Sequence, residues 1–142
     1  MGTISKNFSF AEFEKSDTAK RLRITNVITT TEVRDAVKAL VLNVLQPLRD
    51  AWGGPLNINS GYRCPALNEA VGGVDTSQHV KGEAADVACT DPLALARLAK
   101  RLDLPFDQMV VYPSFCHFSH RRDGEQRGQI LYAKSYKGPK DV

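Results

Sequence analysis

The chain has 142 residues, a formal net charge of +3, 42% hydrophobic residues and 25% charged residues. Those proportions fit one globular domain with a proper core; they exclude a disordered chain and leave too little length for two comfortable domains. No run is long and apolar enough to span a membrane, the first ten residues carry no apolar leader, and the slight positive charge does not by itself imply a nucleic-acid partner. The chain is therefore expected to be synthesised in the cytoplasm without a signal peptide, to avoid membranes and to work as a monomer. Basic residues crowd the C-terminal part (Arg121, Arg122, Arg127, Lys134, Lys137, Lys140) but are diluted by Asp123, Glu125 and Asp141, as on a solvated face. The three cysteines, Cys64, Cys89 and Cys116, form no metal-knuckle spacing, and their odd number fits a reducing compartment better than a disulfide framework.

In chain order, Ser9-Phe10-Ala11-Glu12 has the spacing of a capping box and opens a short helix, with Phe8 and Phe13 stapling this arm to the core. Residues 21–30 read as a loop. Thr30 or Thr31 caps the longest helix, in which Val33, Val37, Leu40, Val41, Val44, Leu45, Leu48 and Trp52 recur at three- and four-residue intervals on one buried stripe. Pro47 lies inside that stripe and predicts a kink or break, and Gly53-Gly54-Pro55 ends it. Leu56 to Asn59 alternates as a strand, Pro65 to Val71 reads as a short helix closed by Gly72-Gly73, and a further strand runs from Ala84 to Ala88. Asp91-Pro92 pairs an N-cap with a proline at the first helical position, starting a helix that ends near Asp103. Phe106 to Tyr112, Phe115 to Ser119 and Gln129 to Tyr132 read as strands, and residues 137–142 should fray. Strands and helices do not alternate regularly. The expected class is α+β: a small, mainly antiparallel sheet with helices packed against it, in a single domain over 1–142 (core about 30–135 after an N-terminal arm, 1–29).

Three residues carry metal-binding chemistry. His79 sits in a glycine-flanked loop seven positions before Asp86, and His117 lies in an apolar strand. Two neutral imidazoles and a carboxylate are a usual donor set for a catalytic zinc, which takes three protein ligands and keeps a fourth position open. Strand parity puts Asp86 on a face with Ala84 and Ala88, and His117 on a face with Phe115 and Ser119, away from Cys116, Phe118 and His120. Taken singly, a histidine before a glycine is an ordinary loop residue and an aspartate on a strand makes local hydrogen bonds. The spacing alone leaves both readings open.

The wider pattern is more specific. Ser60-Gly61-Tyr62-Arg63, then Asn68, Gly72-Gly73, Ser77-x-His79-x-x-Gly82-x-Ala84-x-Asp86 and a late His117 closely resemble the zinc D-Ala-D-Ala carboxypeptidases and murein endopeptidases, peptidase family M15. The likeness covers roughly residues 30–120. It implies the fold shared with hedgehog signalling domains, a zinc ion held by His79, Asp86 and His117, and hydrolysis of peptidoglycan stem peptides at bonds involving D-amino acids. The missing leader then suits a phage or prophage lysin that acts on the cell wall after release. It also implies that Arg63 holds a substrate carboxylate, and that Ser77 either donates to the substrate backbone or organises its own loop. The chain departs from the pattern at one place. Many relatives carry a glutamate three residues before the second zinc histidine, where this chain has Ser114, and serine has no useful basicity at neutral pH. His120, Glu69 and Glu83 are the remaining candidates for a general base, His120 only if a bulge turns it towards the metal. The alternative to an active peptidase is a module of the same fold that keeps metal or peptide binding without catalysis.

Overall fold

A long apolar stripe organises the helical side of the molecule. The computed structural model describes residues 2–142. Thr30 caps α3 (Thr31–Leu40) through its hydroxyl, which accepts from the Val33 N–H. A π-helical turn, Val41–Leu45, follows without a break and leads into α4, Gln46–Trp52. Pro47 has no N–H to donate and its ring crowds the carbonyl one turn earlier. The wide turn just ahead of it, in which Gln46 N–H reaches back to Val41 O, accommodates both problems. The expected kink or break is thus a local change of helix pitch, and the stripe stays continuous. Val37, Leu40, Val41, Val44, Leu45 and Leu48 are all at 0% exposure, while Val33 and Trp52 pack at its edges. Each of those fully buried aliphatic side chains contributes about 1.5–3 kcal/mol relative to exposure.

The N-terminal arm folds onto this helix. It comprises β1 (Thr3–Ser5), β2 (Phe8–Ser9), α1 (Phe10–Glu14), which has the capping box of Ser9 and Glu12, and α2, Asp17–Leu22. Phe8, Phe10 and Phe13 are buried in the common core. Neither the small β1–β2 ladder nor α2 stands out in the sequence; α2 is started by the Ser16 hydroxyl on Ala19 N–H and stops at Arg23, in the left-handed region at φ 58. The predicted loop therefore begins at Arg23 rather than Arg21.

The five-stranded sheet contains β3 (Asn57–Ser60), β4 (Ala84–Ala88), β5 (Gln108–Val111), β6 (Phe115–Ser119) and β7 (Gln129–Tyr132), in the order β3-β4-β6-β5-β7. Three of its pairings are antiparallel, but β5 and β7 run parallel, so the sheet is mixed. The reason lies in residues 121–128, which cross back over the start of β5. There Gly128 N–H bonds Phe106 O and Gln129 N–H bonds Asp107 O, setting β7 beside β5 in the same direction. Two more helices complete the domain, α5 (Pro65–Ala70) and α6 (Pro92–Arg101), the latter capped by Asp91 on Ala94 N–H. One face of the sheet (Ala85, Val87, Met109, Val111, Cys116, Phe118, all at 0% exposure) packs with α6 and the long helix. The other face is left for polar side chains.

The C-terminal tail, expected to fray, is tied back instead. Arg97 Nη2, on α6, donates to both carboxylate oxygens of Asp141 at 2.7 and 2.9 Å, the Tyr136 hydroxyl donates to Pro139 O, and Val142 N–H donates to the Tyr132 hydroxyl. The aromatic anchor Tyr136, 8% exposed, supplies the burial that a charged tail read by composition lacks.

Candidate functional site

Cross-strand register brings the first pair together. Asp86 on β4 lies directly opposite His117 on β6, on the polar face of the sheet. His117 Nδ1 is 2.9 Å from Asp86 Oδ1. Ala84 and Ala88 share that face of β4, so the carboxylate has space around it.

His79 reaches the pair from the loop before β4. That loop is a chain of turns: Ser77 N–H to Val74 O, Val80 N–H to Ser77 O, Gly82 N–H to His79 O. Gly82 is indispensable to it. Its φ is +75, and a Cβ there would stand 2.8 Å from both the Cγ1 and the carbonyl oxygen of Val33, so only glycine lets the loop lie against α3. The Ser77 hydroxyl accepts from His79 N–H at 3.2 Å, a loop-organising bond. The imidazole itself is buried, with Nδ1 2.8 Å from the Gly61 carbonyl oxygen. A carbonyl only accepts, so the proton sits on Nδ1 and the Nε2 lone pair faces the site, 3.5 Å from Asp86 Oδ1.

The rings of His79 and His117 meet edge to face at 5.2 Å, and one donor atom from each of His79, Asp86 and His117 lies within 4.8 Å of the others. Two imidazoles and one carboxylate converging with the tautomer of one already set are a donor set suited to a divalent transition metal. Burial alone would raise the Asp86 pKa. The hydrogen bond with His117 and the neighbouring His79 imidazole outweigh it and hold the carboxyl well below the usual range.

Arg63 stands beside this triad, pinned by its own motif. Its Nε donates to the Ser60 hydroxyl at 3.1 Å and its Nη1 to Asn68 Oδ1 at 3.2 Å, while Nη2 lies 3.9 Å from Asp86 Oδ2. Asn68 is buried and also donates to Val74 O. Burial pulls the Arg63 pKa down, but a guanidinium stays protonated at any physiological pH.

A family model for peptidase M15 matches residues 6–120, the stretch that holds the triad, Arg63 and every strand but β1 and β7. The chain belongs to the M15 peptidase family. No curated protein matches it closely enough to count as a relative. The triad of this M15 peptidase is a candidate metal site of the kind such enzymes use.

The remaining sequence candidates lie outside the triad. His120 follows β6, its N–H bonded to Glu83 O, its Nδ1 buried without a hydrogen-bond partner and its pKa lowered by burial. The structure does not bring it into the group of converging donors. Glu83 accepts from Arg122 N–H at 3.0 Å and from Gln78 at 3.5 Å, and Glu69 and Ser114 are exposed.

Tyr112 is a site neighbour that the sequence reading passed over. The Val110↔His117 register places Tyr112 two residues on, on the face that carries His117, and its ring stacks on Phe115 with centroids 4.2 Å apart. Burial raises its pKa, and the charge of Asp86 raises it further. Its phenol therefore stays protonated. The signal for it was available in the parity across the Pro113-Ser114 turn, which returns β5 to β6 with Tyr112 N–H bonded to Phe115 O.

Proposed function

We propose that this M15 peptidase is a zinc-dependent hydrolase of peptidoglycan stem peptides, cutting bonds that involve D-amino acids. The observation that carries the reading is the convergence of His79, Asp86 and His117 with Arg63 held at their edge. When bound, zinc supplies Lewis-acid polarisation of a carbonyl and a water acidified towards neutral pH. The chain supplies the rest. His79, Asp86 and His117 would hold the zinc, with the Gly61 carbonyl orienting the first and ionised Asp86 balancing charge. Arg63, fixed by Ser60 and Asn68, presents a planar fork suited to a substrate carboxylate. Tyr112, protonated and on the same face, donates a hydrogen bond to the oxygen on which negative charge develops. The Ser77 hydroxyl, whose oxygen already serves His79 N–H, keeps its own proton for the substrate backbone. The same reading has the enzyme working as a monomer on cell-wall material, with no nucleic acid or membrane as partner.

The test is incubation of zinc-loaded protein with purified peptidoglycan and with a D-Ala-D-Ala peptide, scoring released amines and fragment masses. No cleavage of either across a range of pH, with zinc bound, would sink the reading. Arg63→Ala should lose turnover of substrates with a free carboxylate while retaining full metal content; equal turnover returns Arg63 to a structural role. Tyr112→Phe should lower kcat about 100-fold with KM nearly kept, the size of a lost donor to a developing oxyanion. An unchanged kcat removes the hydroxyl from the chemistry.

A further inference from the structure

A groove of about 900 Å³ reaches the triad at His117 and is also lined by Ser77, Arg121, Arg122 and Arg127. Arg63 does not line it; that residue lines a separate hollow of about 420 Å³ with Ser60 and Leu67, off the β3 side of the sheet. His117 thus opens onto one guanidinium-bearing recess, and Arg63, 3.9 Å from Asp86, lines the other.

The arginine-lined part of the groove is built around Asp107, at 0% exposure. Its carboxylate accepts from Arg127 N–H and Nε at 3.0 Å each, from Arg127 Nη2 at 2.7 Å and from Gln78 Nε2 at 3.1 Å. Arg121 Nε completes the set at 3.3 Å. One carboxylate therefore faces two guanidinium ions. Arg127 spends its fork on Asp107, whereas Arg121 is held only through Nε, and among the described residues its two terminal nitrogens have no partner. The Arg121 backbone is fixed as well: its N–H donates to Gln126 Oε1 at 2.7 Å and its carbonyl accepts from Gln126 Nε2 at 2.9 Å. Acids also border the groove. Glu83 is engaged by Arg122 N–H and Gln78, Asp123 pairs with the Arg122 guanidinium at 3.1 Å, and Glu32, on α3, lines the groove as well. None of them engages Arg121. A planar donor pair, oriented at the root and free at the tip, 37% exposed along a groove that begins at a metal ligand, is arranged to take a carboxylate.

We propose that Arg121 is a second carboxylate-binding residue of this peptidase, so that the groove holds an acidic peptide segment on the side of the triad away from Arg63. The inference rests on the peptidase reading and deepens it: the substrate carries anionic groups on both sides of the bond that is cut, as an internal bond of an acidic stem peptide does. Asp107 is a positioning residue, linking Arg121 through Gln78 to the loop that carries His79.

The probes are a synthetic stem peptide with free side-chain and α-carboxylates and its counterpart with those carboxylates amidated. For the zinc-loaded wild-type protein, kcat/KM and calorimetric affinity should favour the free acid by about 10–100-fold, the worth of a charge-assisted bidentate contact. Arg121→Gln should shrink the gap to the part that Arg63 supplies, and Arg121→Lys should restore some of what is lost. Equal handling of both peptides by the wild type, or an equal loss on both in Arg121→Gln, overturns the inference while leaving the peptidase reading in place. Discrimination in binding without any cleavage does the reverse: it supports the groove assignment and removes the catalytic reading.

Discussion

Replacing His117 with alanine should strip the protein of stoichiometric zinc and abolish peptide hydrolysis, and His79→Ala should do the same. Each substitution leaves one imidazole and one carboxylate, below the three protein donors that a catalytic zinc site requires. The loss of zinc affinity should exceed the roughly 10–100-fold typical of changes in groups that merely orient a ligand. The fold should survive. His117 lies on the polar face of the sheet, outside the hydrophobic cluster, and Asp86 retains either His79 or His117, together with Arg63, as a neighbour after a single substitution. The measurements are metal content after dialysis against trace zinc, hydrolysis of the stem peptide, and far-ultraviolet circular dichroism with thermal unfolding. A His117→Ala or His79→Ala protein that kept one zinc per chain would remove that residue from the site. Loss of zinc together with loss of the fold would mean that the residue acts as core support instead, which the place of His117 on the polar face, outside the hydrophobic cluster, argues against.

Much of this site could be read from residues alone, because its determinants are local or follow strand parity. The alternation around Asp86 and His117 has a fixed period, and β4 and β6 are regular, so the shared face follows once they pair. The long helix was legible for the same reason: its period shows through Val37 to Leu48. Features that depend on distant partners were not legible. The parallel β5–β7 pairing depends on where residues 121–128 cross, and that is decided by Asp107, a lone acid within the strand predicted from Phe106 to Tyr112. The basic residues read as a solvated face are partly that, yet Arg121 and Arg127 converge on a buried carboxylate, which composition cannot reveal. The π-helical turn before Pro47 was half-visible: the proline announces trouble in the helix, but not whether the chain breaks, kinks or widens. His120 shows the limit of nearness in sequence, since three residues from His117 along a strand is the opposite face.

The Ser60-Gly61-Tyr62-Arg63 motif is recognisable from sequence, but the reason for its glycine appears only in three dimensions. A Cβ on Gly61 would stand 2.7 Å from Phe13 Cδ2, 2.8 Å from Phe13 Cα and 3.0 Å from Phe13 O. Tyr62 N–H already donates to that same Phe13 oxygen at 2.8 Å, so β3 is locked against the N-terminal arm at this point. Two of the clashing atoms belong to backbone and the third to a fully buried ring, which leaves nothing flexible to yield. Gly61→Ala must therefore push the arm and the motif apart. The shift falls on the one carbonyl that orients His79, and on Arg63, whose own N–H donates to His79 O. The expected results are a loss of about 1–3 kcal/mol in stability, as for an overpacked core, and a fall of about 10–100-fold in zinc affinity, as when the group orienting a ligand histidine is disturbed. Chemical denaturation and competitive zinc titration measure the two separately. A drop in stability with zinc affinity intact would show that His79 finds its tautomer without Gly61. Retention of both would mean that the arm gives way at no cost, contrary to the burial of Phe13.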